Sequence, residues 1–252
     1  MVRLMKILLL DIETSPNIAH VWGLWNNNVS INQLMESSNV LCWSAKWYGS
    51  KEVEYDSVQE SGRKIMIRRM HHHLDQADVV IHYNGKRFDI PTLNKEFLLE
   101  KLGPPSPYKQ IDILETVKRK FRFPSNKLDY VAQRLGLGSK AKHEGHTLWV
   151  KCMAGDAKAW KTMKKYNIQD TKLLEKVYDV VLPWIDHHPN RALYSETQST
   201  HACPNCGSKN LTKRGQATTP AGTWQRYVCG GCGKWSRGEK IRSVKNTLKQ
   251  IV

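Results

Sequence analysis

Two sets of side chains have the types and spacing for metal chemistry. Near the C-terminus stand Cys203-Pro204-Asn205-Cys206 and Cys229-Gly230-Gly231-Cys232, two CxxC pairs, each followed by glycine, with 22 residues between them. A CxxC turn supplies two sulfurs from one tight knuckle, and two knuckles supply the four soft ligands of a tetrahedral zinc ion. Four protein ligands leave no open position, so such an ion is structural and does no chemistry. The second set is acidic. Asp11-Ile12-Glu13 closes an apolar run, and in a strand residues i and i+2 face the same side, so both carboxylates point to one place. Asn84-Gly85-Lys86-Arg87-Phe88-Asp89 follows a second strand-like run, and Tyr166 precedes Asp170 by four residues within a helical pattern, which puts both on one helix face.

Around the cysteines the sequence alternates cations and flat rings. Lys213, Arg214, Trp224, Arg226, Tyr227, Lys234, Trp235 and Arg237 suit phosphates and unstacked bases, although the rings alone could also be filling the small core of such a unit. This stretch, residues 200–240, resembles a zinc ribbon. Cys42 and Cys152 lie outside the constellation and are expected to be buried as small hydrophobes.

The three acidic elements resemble, in order and spacing, the motifs of the DEDD superfamily, the DnaQ-like 3′→5′ exonucleases in their tyrosine form. The matching residues are Asp11 and Glu13, then Asn84 to Asp89, then Tyr166 and Asp170, spread over residues 5–180. The resemblance implies an RNase H-like mixed sheet flanked by helices, with Asp11 and Glu13 on its first strand. It implies catalysis by Asp11, Glu13, Asp89, Tyr166 and Asp170. Asp11 would bridge two ions, Glu13 and Asp170 would hold the first, Asp89 would act directly or through water, and Tyr166 would orient the attacking water. Four converging carboxylates repel one another and take up protons unless cations neutralise them, so two Mg²⁺ or Mn²⁺ are expected. Asn84 and Phe88 are expected to position the turn and the substrate end. Lys213, Arg214, Trp224, Arg226 and Trp235 are expected to contact substrate.

The resulting expectation is a phosphodiester hydrolase that removes nucleoside monophosphates from 3′ ends, DNA being preferred to RNA by the resemblance to proofreading domains. A zinc ribbon in place of a polymerase domain points away from proofreading, toward repair or recombination. An exoribonuclease, a structure-specific endonuclease and a catalytically silent end-binder are the alternatives. Asp112 is expected to be an ordinary acid, and His71-His72-His73 a solvated surface, because adjacent helical residues face different ways.

These residues need elements to hold them. Strands are expected over Met5–Leu10, Val40–Tyr48, Val53–Ser57, Val79–His82 and Gln110–Leu114, and helices over Arg63–Leu74, Phe88–Leu102, Leu128–Leu135 and Asp156–Val181. Strands interleaved with helices give an α/β fold. The domain plan is 1–190 for the nuclease-like domain, 191–199 for a linker, 200–240 for the ribbon and 241–252 for a basic tail. With 252 residues, 40% hydrophobic and 25% charged, the chain is globular rather than fibrous or disordered. The net charge of +16 indicates a polyanionic partner, and half of it falls on the last 57 residues. No run reaches the ~20 apolar residues of a membrane helix. A cytoplasmic location with reduced thiols and no membrane partner is therefore expected.

Overall fold

Strand β1 (Ile7–Thr14) lies at the centre of a five-stranded sheet, and its alternation decides what each face of that sheet does. Leu8, Leu10 and Ile12 point one way into an apolar cluster; Ile7, Leu9, Asp11 and Glu13 point the other. Leu8, Leu9 and Leu10 are fully buried, each worth roughly 1.5–3 kcal/mol relative to exposure. A one-residue slip would exchange the carboxylates for core residues, so the burial of this strand also sets the register of the site.

The computed structural model describes residues 4–194 and 201–242. After β1 come the short strands β2 (Ile18–Ala19) and β3 (Leu34–Glu36), which pair with each other, then β4 (Val40–Trp47), β5 (Glu54–Ser57), helix α1 (Arg63–Gln76) and β6 (Val79–His82). Next are α2 (Asp89–Leu99), β7 (Lys109–Asp112), α3 (Ile113–Lys120), α4 (Leu128–Arg134), α5 (His146–Met153) and α6 (Ala157–Val181). The sheet order is β5-β4-β1-β6-β7, with β4 antiparallel to β1 and to β5, and β6 parallel to β1 and to β7. Met66, Ile67 and Met70 of α1 and Leu93 and Phe97 of α2 cover one face. On the other, Leu148 and Cys152 of α5 and Trp160, Met163 and Tyr166 of α6 pack against Leu41 and Cys42. The architecture is the mixed α/β sheet flanked by helices that the strand and helix pattern indicates. Cys42 and Cys152 are both buried.

The described residues form two compact units, Lys6–Asp179 and a second made of those from Val180 onward with Leu4 and Met5. In the second unit, β8 (Leu211–Thr219), β9 (Gly222–Cys229) and β10 (Trp235–Arg242) form an antiparallel sheet with β9 central. Part of the expected linker is ordered: Arg191–Tyr194 is a 3₁₀ turn whose Arg191 amide donates to the Pro204 carbonyl at 2.8 Å. The rest of that linker, residues 195–199, the first residue of the expected ribbon, Thr200, and all but the first two residues of the tail lie outside the described residues. No helix among the described residues is long and apolar enough to cross a membrane.

Several boundaries differ from the sequence expectation for identifiable reasons. The strand expected over Gln110–Leu114 stops at Asp112, whose side chain accepts the Leu114 amide and caps α3. The helix expected from Phe88 begins at Asp89 and ends at Leu99, the chain turning at Lys101 with φ 56°. The His triplet is not a solvated surface. His73 is buried on the same face of α1 as Met66, Met70 and Leu74, where it contacts Glu54 at 3.2 Å and meets Trp43 edge-on. His71 packs edge-on against Phe97, and only His72 is exposed.

Asp112 proves to be a framework residue. Beyond its cap, it accepts the amides of Asn84 at 2.9 Å and Lys86 at 3.3 Å, so it holds the 84–88 turn against the end of β7. Burial works to raise its pKa, but the nearby His82 ring and the Asn84 and Lys86 amides hold it below the ordinary carboxylate range. Asp112→Ala leaves three amides without an acceptor and is expected to lower urea-unfolding stability by about 3 kcal/mol, with Asp112→Asn recovering most of the loss. An Ala variant as stable as wild type would remove Asp112 from this role.

Candidate active site

β1 brings Asp11 and Glu13 to the face covered by α6, and α6 brings Asp170 to meet them. Carboxylate oxygens of these three residues all lie within 4.8 Å of one another. The helix is docked there by Ser44 of β4, opposite Asp11 in register, whose hydroxyl donates to the Asn167 carbonyl at 2.8 Å and contacts Thr171 Oγ1 at 2.6 Å. Asn167 Nδ2 in turn donates to Asp11 Oδ2 at 2.7 Å. Asp89, at the start of α2, is buried and accepts the Ile12 amide, between Asp11 and Glu13 on β1, through Oδ1 at 3.2 Å, and it stands outside the three residues whose oxygens fall within 4.8 Å. Its placement depends on Gly85. A Cβ at Gly85 would lie 2.3 Å from the His82 ring, whose Nδ1 accepts the Gly85 amide.

Desolvation and mutual repulsion push these acids toward protonation. Glu13 is raised by burial, then by Asp170 and Asp89 against the pull of Lys140, to about 8. Asp89 is raised to about 6, chiefly by burial, and Asp11 stands well above the ordinary range for burial and its acidic neighbours. Burial raises Asp170 too, although Lys140 and Tyr166 oppose it. Asp170 Oδ1 and Asn167 Oδ1 are buried without a hydrogen-bond partner. An all-oxygen donor set with an orphaned carboxylate oxygen fits a hard divalent cation.

Four residues of the site escaped the sequence reading. Lys140 Nζ donates to Asp170 Oδ2 at 2.5 Å and to the Tyr166 hydroxyl at 3.1 Å, and is the local counter-charge. Asn167 is the second. Trp149 is near enough to Glu13 to oppose the rise in its pKa, and His143 lies edge-on to both Tyr166 and Trp149, at 4.6 and 5.2 Å between ring centres. Tyr166 and Asp170 do share one helix face, and the tyrosine is buried against these rings. A cleft of ≈520 Å³ opens at Asp11, lined also by Tyr83, Asn84, Lys118, Lys127 and Lys140. Phe88 is 43% exposed at the mouth of α2.

In the second unit the four cysteine sulfurs also fall within 4.8 Å of one another, and all are free thiols. The two knuckles are built alike. Gly207 donates its amide to the Cys203 carbonyl and Gly233 to that of Cys229, each at 2.8 Å and each at positive φ, 79° and 77°. Cys203–Cys232 and Cys206–Cys229 sulfurs are 3.7 and 3.6 Å apart. That matches the roughly 3.8 Å edge of a tetrahedron with metal–sulfur bonds of about 2.3 Å.

The β9–β10 register places Trp224, Arg226, Trp235, Arg237 and Lys240 on one face. There Arg214 and Arg226 lie over Trp235, at 5.8 and 4.8 Å, and Arg237 and Lys240 over Trp224, at 4.8 and 5.6 Å. Lys213 is paired with Tyr227, and belongs to the opposite face with that buried ring. Of the expected contacts, then, Arg214, Trp224, Arg226 and Trp235 come together and Lys213 does not.

Residues 8–182 match the RNase H superfamily, and the chain belongs to it. A search of curated proteins finds no significant match. Among solved structures, the family B DNA polymerase of the hyperthermophilic archaeon Pyrobaculum calidifontis is similar in fold, with TM-score 0.54 and 14% identity. The match covers 88% of this chain and 32% of that one, so the chain spans about a third of the polymerase's length.

Because the folded-state pKa values of Glu13 and Asp89 are raised, ionising these acids costs stability as pH climbs through the window from about 4 to about 8. Metal-stripped protein is expected to melt several degrees lower at pH 8 than at pH 6, and Mn²⁺ to raise the melting temperature more at pH 8. Asp170→Asn is expected to flatten that difference. Equal Mn²⁺ shifts at both pH values in the wild type would show that the cluster does not bind the ion.

Proposed function

We propose that the protein is a metal-dependent 3′→5′ exonuclease that releases nucleoside monophosphates from DNA ends, with its four-cysteine unit a zinc ribbon that helps hold the nucleic acid. The observation that carries this reading is the convergence of Asp11, Glu13 and Asp170 within 4.8 Å, with Asp89 fixed beside them, on the sheet of the RNase H superfamily. Mg²⁺ or Mn²⁺ ions bound there supply Lewis acidity, polarising the scissile phosphate and a water.

The chain's own groups do the rest. Asp11, Glu13 and Asp170 hold the ions, and Asp89, with Oδ1 on the Ile12 amide, has its second oxygen to offer. The Tyr166 hydroxyl, fixed by Lys140 and Asp170, orients the attacking water. Lys140 offsets charge that accumulates on the phosphate oxygens. Trp149 steadies Glu13, and Asn84 and the exposed Phe88 ring receive the terminal nucleotide. The preference for DNA is supported by fold similarity to a DNA polymerase. On the ribbon, guanidinium groups stacked over Trp224 and Trp235 are oriented for phosphate oxygens.

The test is a time course on 5′-labelled single-stranded DNA and RNA of matched sequence with Mg²⁺ or Mn²⁺. Stepwise shortening of the DNA from its 3′ end is expected, slowed on the order of 10³-fold by Asp11→Asn or Asp170→Asn. Internal cuts, faster loss of RNA, or binding without cleavage would replace this reading by the corresponding alternative.

For the ribbon, purified protein is expected to hold one zinc per chain by elemental analysis, released when a mercurial titrates four thiols. Cys206→Ser is expected to lose it. Preparations that retain activity and a folded second unit without zinc would refute the ribbon assignment.

A further inference from the structure

The carboxylate cleft is the first of three compartments linked by shared lining residues. Next to it, sharing Asp129 and Lys140, is a compartment of ≈490 Å³ along the loop Gly136–Lys142. Sharing Ser139 and Lys142 with that one is a third, of ≈650 Å³, floored by Lys161, Thr162, Lys165 and Gln169 of α6. Each compartment is of small-ligand size, room for a nucleotide of a single strand but not for a duplex.

The charges along it are one-sided. Lys161, Lys165 and Gln169 recur every fourth residue of α6 and form one stripe, immediately beside Tyr166 and Asp170 on the helix surface. Lys142 faces them from the loop. Lysines that α6 meets elsewhere are neutralised: Lys164 pairs with Glu60, and Lys46 with Glu175 on the helix. Lys142, Lys161 and Lys165 are exposed and have no acidic partner among the described residues. The acid of the middle compartment, Asp129, is occupied by the Lys140 amide at 2.7 Å and by Gln133 at 2.6 Å. Unpaired cations of one sign, held in a line by a helix and a loop, have the chemistry to follow a row of phosphates.

Building on the nuclease reading, we propose that this groove is the track of the substrate strand: single-stranded nucleic acid lies along α6 with its phosphates on Lys161, Lys165 and Lys142, and passes the Gly136–Lys142 loop to deliver its end to Asp11. Specificity along the track is for backbone charge rather than base sequence, since the groove offers ammonium groups and few base-reading donors.

The experiment measures binding, not turnover. Fluorescence anisotropy of labelled oligothymidylates of increasing length is recorded on full-length Asp11→Asn protein over a salt series. In this background the triple variant Lys142→Gln, Lys161→Gln, Lys165→Gln is compared with a charge-matched triple of exposed cations that line none of the three compartments, Lys51→Gln, Lys64→Gln, Arg68→Gln. The groove triple is expected to reduce the slope of log affinity against log salt by about 2, at roughly 0.7 per phosphate contact, and to erase the gain in affinity with strand length. The control triple is expected to leave both unchanged. Equal effects of the two triples, or a groove triple with the wild-type slope, would overturn the track. Failure of the exonuclease reading shows separately, as absence of metal-dependent cleavage by the wild type.

Discussion

Like charges brought together in a desolvated corner are the constraint on which the rest of the catalytic unit depends. Asp11, Glu13, Asp89 and Asp170 would separate if the chain allowed it, and no bond among them holds them. What holds them is apolar: β1 is buried on both faces, α6 is fastened by Ser44 and Thr171, and the 84–88 turn is fastened by Asp112. The core thus does electrostatic work, since the energy of burying Leu8, Leu9 and Leu10 is what opposes repulsion three residues away. Lys140 and Asn167 relieve part of that repulsion from the same side. The site is strained in charge and relaxed in packing, a strain that a bound divalent cation would relieve.

The second unit meets a related difficulty by other means. Three exposed strands bury only Tyr227 and Cys229, and one face is given over to cations on indoles. A sheet so poor in core has little packing to stabilise it, and beside it stand four sulfurs at tetrahedral spacing, the donor set of a metal staple. Freed from packing, Trp224 and Trp235 stack with arginine instead. The first unit thus uses packing to position acids, and the second leaves its indoles to cations.

The legible part of the fold follows from periodicity. β1, β6 and α6 carry strong patterns and fall within a few residues of the expectation, and they are the elements that bear Asp11, Glu13, the 84–89 turn and Asp170. The illegible part has physical causes. α5 is short and begins in a polar loop after Gly145, so no 3.6-residue pattern announces it. α3 hides behind β7 because one residue, Asp112, ends the strand and caps the helix. His73 has its role only through tertiary neighbours, Trp43 and Glu54, which lie far away in sequence. Lys140 is one of thirty-nine basic residues, and nothing in its neighbours distinguishes it. Lys213 sits in the same basic run as Arg214, and only the pairing register with Tyr227 tells the two faces apart.

The Gly136–Gly145 loop now takes on a meaning that its sequence does not reveal. It carries Lys140 into the carboxylates, Lys142 into the groove and His143 onto Tyr166, so one segment touches acid, strand path and tyrosine together. Lys140 is bonded to Asp170 Oδ2, and Asp170 Oδ1 is the oxygen left without a partner. A divalent cation on that second oxygen would share the carboxylate with the Lys140 ammonium group, which also lines the cleft at Asp11 where the proposed pathway delivers a phosphate. The sheet and α6 thus supply the acids, and the loop supplies their counter-charge.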